Sequence, residues 1–329
     1  MDCLQTYANT LEHIVVIPKS EPEGITMLNI LLGLALLLGG IFLMRYGLKK
    51  ALWHRLQGVL GKLTKTPGRG LVLGTITAAL FQSSTTVCLI TIGLVSADYM
   101  SFRQALGIIL GANIGTCSTV QLVSLSIPLE VILPLLLLSL LLSISGRQRY
   151  LGLALSGLLS MFAGLDLLVK GISSLAQLTE MAEYLVLANC QPLYGIWGGI
   201  LATLMFQSSS AATVLLMLLA DMGLVDINTA AYVIYGNNIG SCVSSIVFSA
   251  AAPVAARRVA MSHILLNVLG VIVFFPVTHW LIAAAGLFTD DFSGQVAVIH
   301  TLFNILSSIM VLPVFNQFVN LICLLIPRR

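Results

Sequence analysis

Phe81-Gln82-Ser83-Ser84-Thr85-Thr86 is a polar island inside an apolar run, and Phe206-Gln207-Ser208-Ser209-Ser210-Ala211 repeats it 125 residues later. Each copy is followed by a second polar knot. Gly111-Ala112-Asn113-Ile114-Gly115-Thr116-Cys117 returns as Gly236-Asn237-Asn238-Ile239-Gly240-Ser241-Cys242, again 125 residues on. Two separate motifs recurring at one offset mark an internal duplication, which must be read before any single element.

The surroundings say what kind of solvent the duplication sits in. The 329 residues are 58% hydrophobic and 9% charged, with a mean hydropathy of +1.00. A soluble chain carries about 25% charged residues, so lipid must cover most of this one. Met27 to Met44 is long enough to span, given that a bilayer takes about 20 apolar residues. Arg45, Lys49, Lys50, Arg55, Lys62, Lys65 and Arg69 follow, with leucines at helical spacing, which predicts an amphipathic helix on the membrane surface. Pro128 to Ser143 and Leu151 to Val169 are further spans, and Gly171 to Ala188 is again amphipathic. A second pairing relates the last two long helices: His263, Asn267 and Pro276 recur as His300, Asn304 and Pro313, 37 residues later. Each is expected to kink where proline removes a backbone donor.

Charge decides the topology. Lys and Arg mark the cytoplasmic side. If the N-terminus is outside and each Gln-Ser-Ser segment enters and leaves on one side, 14 of the 16 basic residues fall inside, all but Lys19 and Lys170. Letting those segments cross fully would put Arg103, Arg147 and Arg149 opposite the Arg45 to Arg69 stretch. The expectation is an all-α polytopic membrane protein with two inverted-topology repeats, two re-entrant helical hairpins and broken transmembrane helices. Residues 1–26 form an outer N-terminal segment, 27–146 the first repeat, 147–276 the second, and 277–329 a C-terminal helix and tail. No signal peptide is read ahead of the first span. The protein is placed in the cell (inner) membrane, multi-pass, with its C-terminus in the cytoplasm.

Irregular backbone at membrane depth is tolerated only when buried in protein or facing a water-filled cavity. Inverted repeats with broken helices, meeting near the midplane, are the build of secondary transporters. The second arm of each hairpin starts at the Ser-Ser pair, so its free N–H groups, with the hydroxyls of Ser83, Ser84, Ser208 and Ser209, are suited to donate to a tetrahedral oxyanion. Gln82 and Gln207 offer either amide N–H to the anion or carbonyl oxygen to a cation. Asn113 beside Gly115 and Asn238 beside Gly240 mark helix breaks, and neutral oxygens of Gln82, Thr85, Thr86, Asn113, Thr116, Gln207, Ser210, Asn238 and Ser241 suit Na⁺. Scarce carboxylates argue against a proton relay built on Asp or Glu.

With these motifs in view, the chain resembles the type II sodium/phosphate cotransporter family and its bacterial members, from about Leu28 to Pro313. The resemblance implies Na⁺-driven uptake of inorganic phosphate, with both Gln-Ser-Ser hairpins lining the site. This sequence has Thr85 where members often have a third Ser, and no acid beside it, which leaves the number of sodium ions open. The soluble domain that some bacterial relatives append is not expected after Arg329.

Other readings stay open from the residues alone: another small oxyanion such as sulfate or a carboxylate, H⁺ coupling, a passive channel, or an intramembrane hydrolase using serine with His263 or His300. No nucleophile elbow surrounds either serine pair, so no catalytic residue is assigned. Cysteine and histidine spacing offers no transition-metal site; no cofactor is expected beyond Na⁺ as coupling ion. The partners are phosphate, Na⁺ and the lipid bilayer, not nucleic acid, and homo-oligomerisation is left open. Bland roles suit the remaining polar residues. His263, Asn267, His300 and Asn304 are read as helix-packing groups, Cys117 and Cys242 as small packing residues, and Asp166 as a partner for Lys170. A Cys3–Cys190 disulfide is an option the sequence leaves open.

Overall fold

Glycines set how closely these helices approach. The computed structural model describes residues 23–63, 66–125, 127–144, 146, 148–175 and 189–327, and among them every regular element is helical. Helix α1 (Glu23–Leu63) packs along α7 (Arg149–Leu175). Gly33, Gly40 and Gly47 lie on one side of that contact and Gly157, Gly164 and Gly171 on the other, each series at seven-residue spacing, two turns of helix. A Cβ at Gly33 would lie 2.9 Å from the Gly164 carbonyl oxygen, and one at Gly40 would lie 2.6 Å from that of Gly157. Further along, Gly47 faces the Tyr150 carbonyl and Gly171 faces that of Thr26. Partner numbers fall as α1 numbers rise, so the pair is antiparallel. Small residues at such spacing let backbones meet where lipid gives helices no hydrophobic reason to associate.

The next elements occur twice. Helices α2 (Pro67–Phe81) and α3 (Ser84–Ser96) are joined by Gln82 and Ser83; α8 (Pro192–Phe206) and α9 (Ser209–Asp221) are joined by Gln207 and Ser208. Proline opens the first arm of each pair, where its missing N–H costs nothing. The first copy packs on α4 (Phe102–Gly115), continued by α5 (Cys117–Val123); the second packs on α10 (Ile227–Ser249). The two packings match residue for residue. Gly111 faces the Leu71 carbonyl as Gly236 faces that of Ile196, and Gly115 faces Thr75 as Gly240 faces Ile200.

Two expectations need correcting. The helix breaks expected at Asn113–Gly115 and Asn238–Gly240 reduce to a one-residue hitch at Thr116 in the first copy and vanish in the second, where α10 runs unbroken. Local hydroxyls and thiols return to backbone carbonyls instead. Thr116 Oγ1 donates to Ala112 O at 2.8 Å, and Ser241 Oγ donates to Asn238 O at 2.7 Å. Such back-bonding satisfies polar groups within a helix without unwinding it. The surface helix expected after Met44 is also not separate: α1 continues to Leu63 as one backbone helix, and α7 likewise continues past Gly171. Residues 1–22 and 176–188, which hold the outer N-terminal segment and most of the second amphipathic stretch, lie outside the described residues.

Between the copies runs α6 (Leu129–Ile144), which packs on α7 through a Ser139–Ser156 hydroxyl pair 2.8 Å apart. Leu133, Leu137 and Leu141 stand 55–62% exposed on its other side, a surface suited to lipid rather than water. The C-terminal helices bend as their prolines predict. Helix α11 (Val254–Phe274) passes through a 3₁₀ turn at Phe275–Val277 into α12 (Thr278–Gly286); α13 (Phe292–Val311) stops just before Pro313 and resumes as α14 (Phe315–Leu325). Helices α11 and α13 meet where Gly270 faces Ser307, two positions again 37 apart. Five stretches among the described residues are long and apolar enough to cross a membrane: Ile25–Ala51, Phe102–Val123, Arg149–Ile172, Val254–Gly286 and Phe292–Val311.

The expected Asp166–Lys170 pair forms at 2.7 Å, with both side chains more than a third exposed. Exposed pairs contribute about 0–1 kcal/mol. Asp166→Asn is therefore expected to shift thermal unfolding by no more than a degree or two, about 0.5 kcal/mol.

Candidate functional site

Both glutamines of the repeated motif adopt the same unusual backbone. Gln82 has φ 53° and ψ 32°, and Gln207 has φ 51° and ψ 26°. Among the described non-glycine residues, only Asp98 shares a positive φ with them. The left-handed region is disfavoured for a side chain of this size, and such strain persists only where surrounding structure fixes it, as at functional sites. The following serine is extended in both copies, Ser83 at φ −162° and Ser208 at φ −159°, and each caps the next helix. The turn therefore stops one helix and starts another within two residues. It leaves the first N–H groups of α3 and α9 aimed outward past Ser83 and Ser208.

The hydroxyls of these two caps are held in an informative way. Ser83 Oγ accepts from Thr86 N at 3.1 Å and from Thr86 Oγ1 at 3.0 Å. Ser208 Oγ accepts from Ala211 N at 3.2 Å and from Arg45 Nη2 at 3.0 Å. A serine oxygen has two lone pairs and one proton. With both lone pairs occupied, each hydroxyl has only its proton left to offer, and an acceptor is what it can bind. The second copy has alanine where the first has Thr86, and Arg45 takes over the part of the missing hydroxyl.

The copies differ in exposure. Gln82 is buried: its Nε2 donates to Ala79 O and to Ser118 Oγ at 3.1 Å, and its Oε1 accepts from Thr119 Oγ1. Gln207 is exposed, with Nε2 donating back to Leu204 O at 2.6 Å. Beside it opens a small, partly open pocket, about 250 Å³ of space that includes open solvent. Gln207, Ser208 and Ser209 line it together with Thr203, Ser241, Ser244 and, from the first copy, Thr85. Residues from both motifs thus share one pocket, and every polar side chain lining it is neutral. The first-copy arm α3 also reaches the second repeat through Ser245 Oγ, which donates to Cys88 Sγ at 3.4 Å.

The other expected site residues sort clearly. Ser84 is buried at the start of α3, and Thr86 is committed to Ser83. Ser210 is buried, and its hydroxyl has no partner among the described residues. Asn113 reaches away from the pocket, donating to Asn304 O and Ser308 Oγ on α13 at 3.5 and 3.3 Å. Asn238 donates to Ile234 O of its own helix at 2.9 Å. Of the expected sodium set, Thr85, Gln207 and Ser241 line the pocket.

The packing groups meet the expectation in part: His300 Nδ1 and the Oδ1 atoms of Asn267 and Asn304 are buried with no partner among the described residues. Cys117 Sγ lies 3.8 Å from His300 O, and Cys242 Sγ lies 3.6 Å from His263 O, the same stitch in each repeat. His263 Nδ1 lies 3.1 Å from Ser245 Oγ, so its hydroxyl partner is not a serine of the repeated motif. Cys190 is disulfide-bonded; Cys3, the partner the sequence offers, lies outside the described residues.

Sequence reasoning missed Arg45, grouped there with the basic residues of the membrane surface. It also missed Ser118, Thr119, Thr203 and Ser244. Thr119 and Ser244 stand 125 residues apart, so the duplication that revealed the motifs would have paired them.

A family model described as Na⁺/Pi-cotransporter matches residues 36–170 and, a second time, residues 164–293. The uncharacterized protein YqeW of Bacillus subtilis (strain 168) is 30% identical over 302 residues, covering 89% of this chain and 95% of its own. YjbB of Escherichia coli (strain K12), provisionally named an inorganic phosphate export protein, is 27% identical over 266 residues, 80% of this chain and 49% of that protein. The chain thus spans about half the length of YjbB. The human sodium-dependent phosphate transport protein 2B is 41% identical over 63 residues, 19% of this chain and 9% of that protein. No solved structure matches.

Proposed function

Because the chain belongs to the Na⁺/Pi-cotransporter family, we propose that it is a multi-pass secondary transporter that carries inorganic phosphate in symport with Na⁺ by alternating access. The observation that carries this reading is the shared pocket. There Thr85 of one motif faces Gln207, Ser208 and Ser209 of the other, beside a serine hydroxyl with only its proton left to give. The start of α9 adds free N–H groups and the positive end of a helix dipole. The anion would sit on Ser208, Ser209 and Gln207, completed from the first copy by Gln82, Ser83 and Ser84. Sodium would take the neutral oxygens of Thr85, Ser241 and the Gln207 amide carbonyl, ligands that suit a hard cation. Thr86, Asn113, Thr116, Ser210 and Asn238 form the outer part of that set.

Inverted repeats are supported by the contacts between α1 and α7. Shifting by 124 residues turns the Gly33–Gly164 contact into Gly157–Gly40, and turns Gly47–Tyr150 into Gly171–Thr26. The contact set maps onto itself, as it does when equivalent helices are related by a twofold axis perpendicular to both. An axis so placed lies in the membrane plane and inverts one repeat relative to the other. Loop contacts agree with the topology read from charge. Arg103 at the start of α4 and Arg258 at the start of α11, both expected inside, bond α14 or its end, at Asn316 and Ile326 O. The Ser293 N–H, at the start of α13, donates to Asp221 Oδ1, at the end of α9, at 2.8 Å, and that topology puts both of these helix ends outside. Both Gln-Ser-Ser turns would then be the tips of re-entrant hairpins.

Alternating access accounts for the unequal glutamines. In an inverted-repeat transporter the two end states exchange the conformations of the two repeats. Gln82 buried and Gln207 exposed is one such state; the other would bury Gln207 and expose Gln82. The test is radiolabelled phosphate uptake into proteoliposomes, with external Na⁺ replaced by K⁺ or choline. Accumulation above the outside concentration only with Na⁺ is expected. Uptake indifferent to Na⁺, or sulfate transported as well as phosphate, would sink the coupling or the substrate assignment respectively.

A further inference from the structure

Arg45 is the one structural surprise beside the pocket. It lies within Ile25–Ala51, a stretch apolar enough to cross a membrane, and is half-buried there. A charge at such depth is costly unless it is paired, and it usually marks a substrate path. Arg45 is poorly paired. Nη2 donates to the neutral hydroxyl of Ser208, and Nε is buried with no partner among the described residues. Among the described residues the only ion pair is Lys170–Asp166, and no described carboxylate balances the guanidinium. A guanidinium has five N–H donors in a planar fork that fits an oxyanion through two parallel bonds. The residue it touches, Ser208, lines a pocket whose polar side chains are otherwise uncharged.

We propose that Arg45 supplies the fixed positive charge of the anion site, holding Ser208 with its proton toward the ligand and donating to the seated anion, and so selects doubly charged phosphate. This inference rests on the reading of that pocket as the phosphate site.

The test compares wild type, Arg45→Gln and Arg45→Met in proteoliposomes, with inorganic phosphate as substrate and size-exclusion profiles confirming folding; the methionine variant suits the apolar surroundings should glutamine not fold. Expected is a rise of about tenfold or more in the phosphate KM, equal to about 1.4 kcal/mol of anion binding, with the KM for Na⁺ unchanged. The wild-type KM for total phosphate should fall as pH rises through the second ionisation of phosphate. In either variant that dependence should flatten. A variant with reduced maximal rate but wild-type phosphate KM and pH profile would overturn the proposal and leave Arg45 as a tether for the second tip. Absence of phosphate transport by wild type would instead remove the parent reading, and this inference with it.

Discussion

Ser208→Ala is expected to cut Na⁺-driven phosphate uptake about 30-fold or more. Three losses coincide at one oxygen. The cap on Ala211 N disappears, which costs helix starts about 1 kcal/mol. Arg45 Nη2 loses its acceptor, leaving a charge in apolar surroundings less satisfied. The proton offered to the anion goes too, and a hydrogen bond to a charged group contributes about 1.5–3 kcal/mol. At about 1.4 kcal/mol per tenfold, the last term alone accounts for most of the effect. Ser83→Ala should lose less, because Thr86 bears a second hydroxyl beside that cap. Uptake by the Ser208→Ala protein within about threefold of wild type, below 0.7 kcal/mol, would remove Ser208 from the site.

Gly111→Val and Gly236→Val are expected to abolish recovery of folded protein. Any Cβ at Gly111 would fall inside the van der Waals envelope of the Leu71 carbonyl oxygen, and one at Gly236 inside that of Ile196. The obstacle is backbone on a neighbouring helix, so no rotamer change relieves it. Overpacking of this kind costs about 3 kcal/mol or more, a large share of the 5–15 kcal/mol by which folded proteins are stable. Gly93 is the control: among the described residues nothing lies within 4 Å of its added Cβ. Gly93→Ala should be neutral or stabilise by up to about 1 kcal/mol, the helix propensity difference. Detergent-solubilised yield and monodispersity check both. A monodisperse Gly111→Val protein with normal thermal stability would show that α2 and α4 are not packed as described.

The motifs were legible in sequence because polar residues are rare in an apolar chain and these ones recur at a fixed offset. What they do locally was only partly legible. A turn at Gln82 and Gln207 follows from a polar island, but a glutamine in the left-handed region does not, since propensity argues against it. The glycine–asparagine knots pointed to helix breaks, yet packing decided otherwise. Gly111 and Gly236 are small for a neighbouring helix, and Ser241 and Cys242 satisfy the Asn238 carbonyl without unwinding α10. Periodic charge explained Lys49 and Lys50, both exposed, but misplaced Arg45. Only tertiary packing of α1 against the second tip sets Arg45 apart from its neighbours, and that contact joins residues 163 apart.

The claim beneath all of this is that two motifs 125 residues apart build one substrate site. It is tested most directly by placing cysteines at Thr85 and Ser209, which line the same pocket. The protein is then treated with a short bifunctional thiol reagent in the presence and absence of phosphate and Na⁺. An intramolecular cross-link is expected, with phosphate and Na⁺ together slowing its formation. Single-cysteine variants that each react with the reagent, alongside a double variant that never cross-links, would contradict the account.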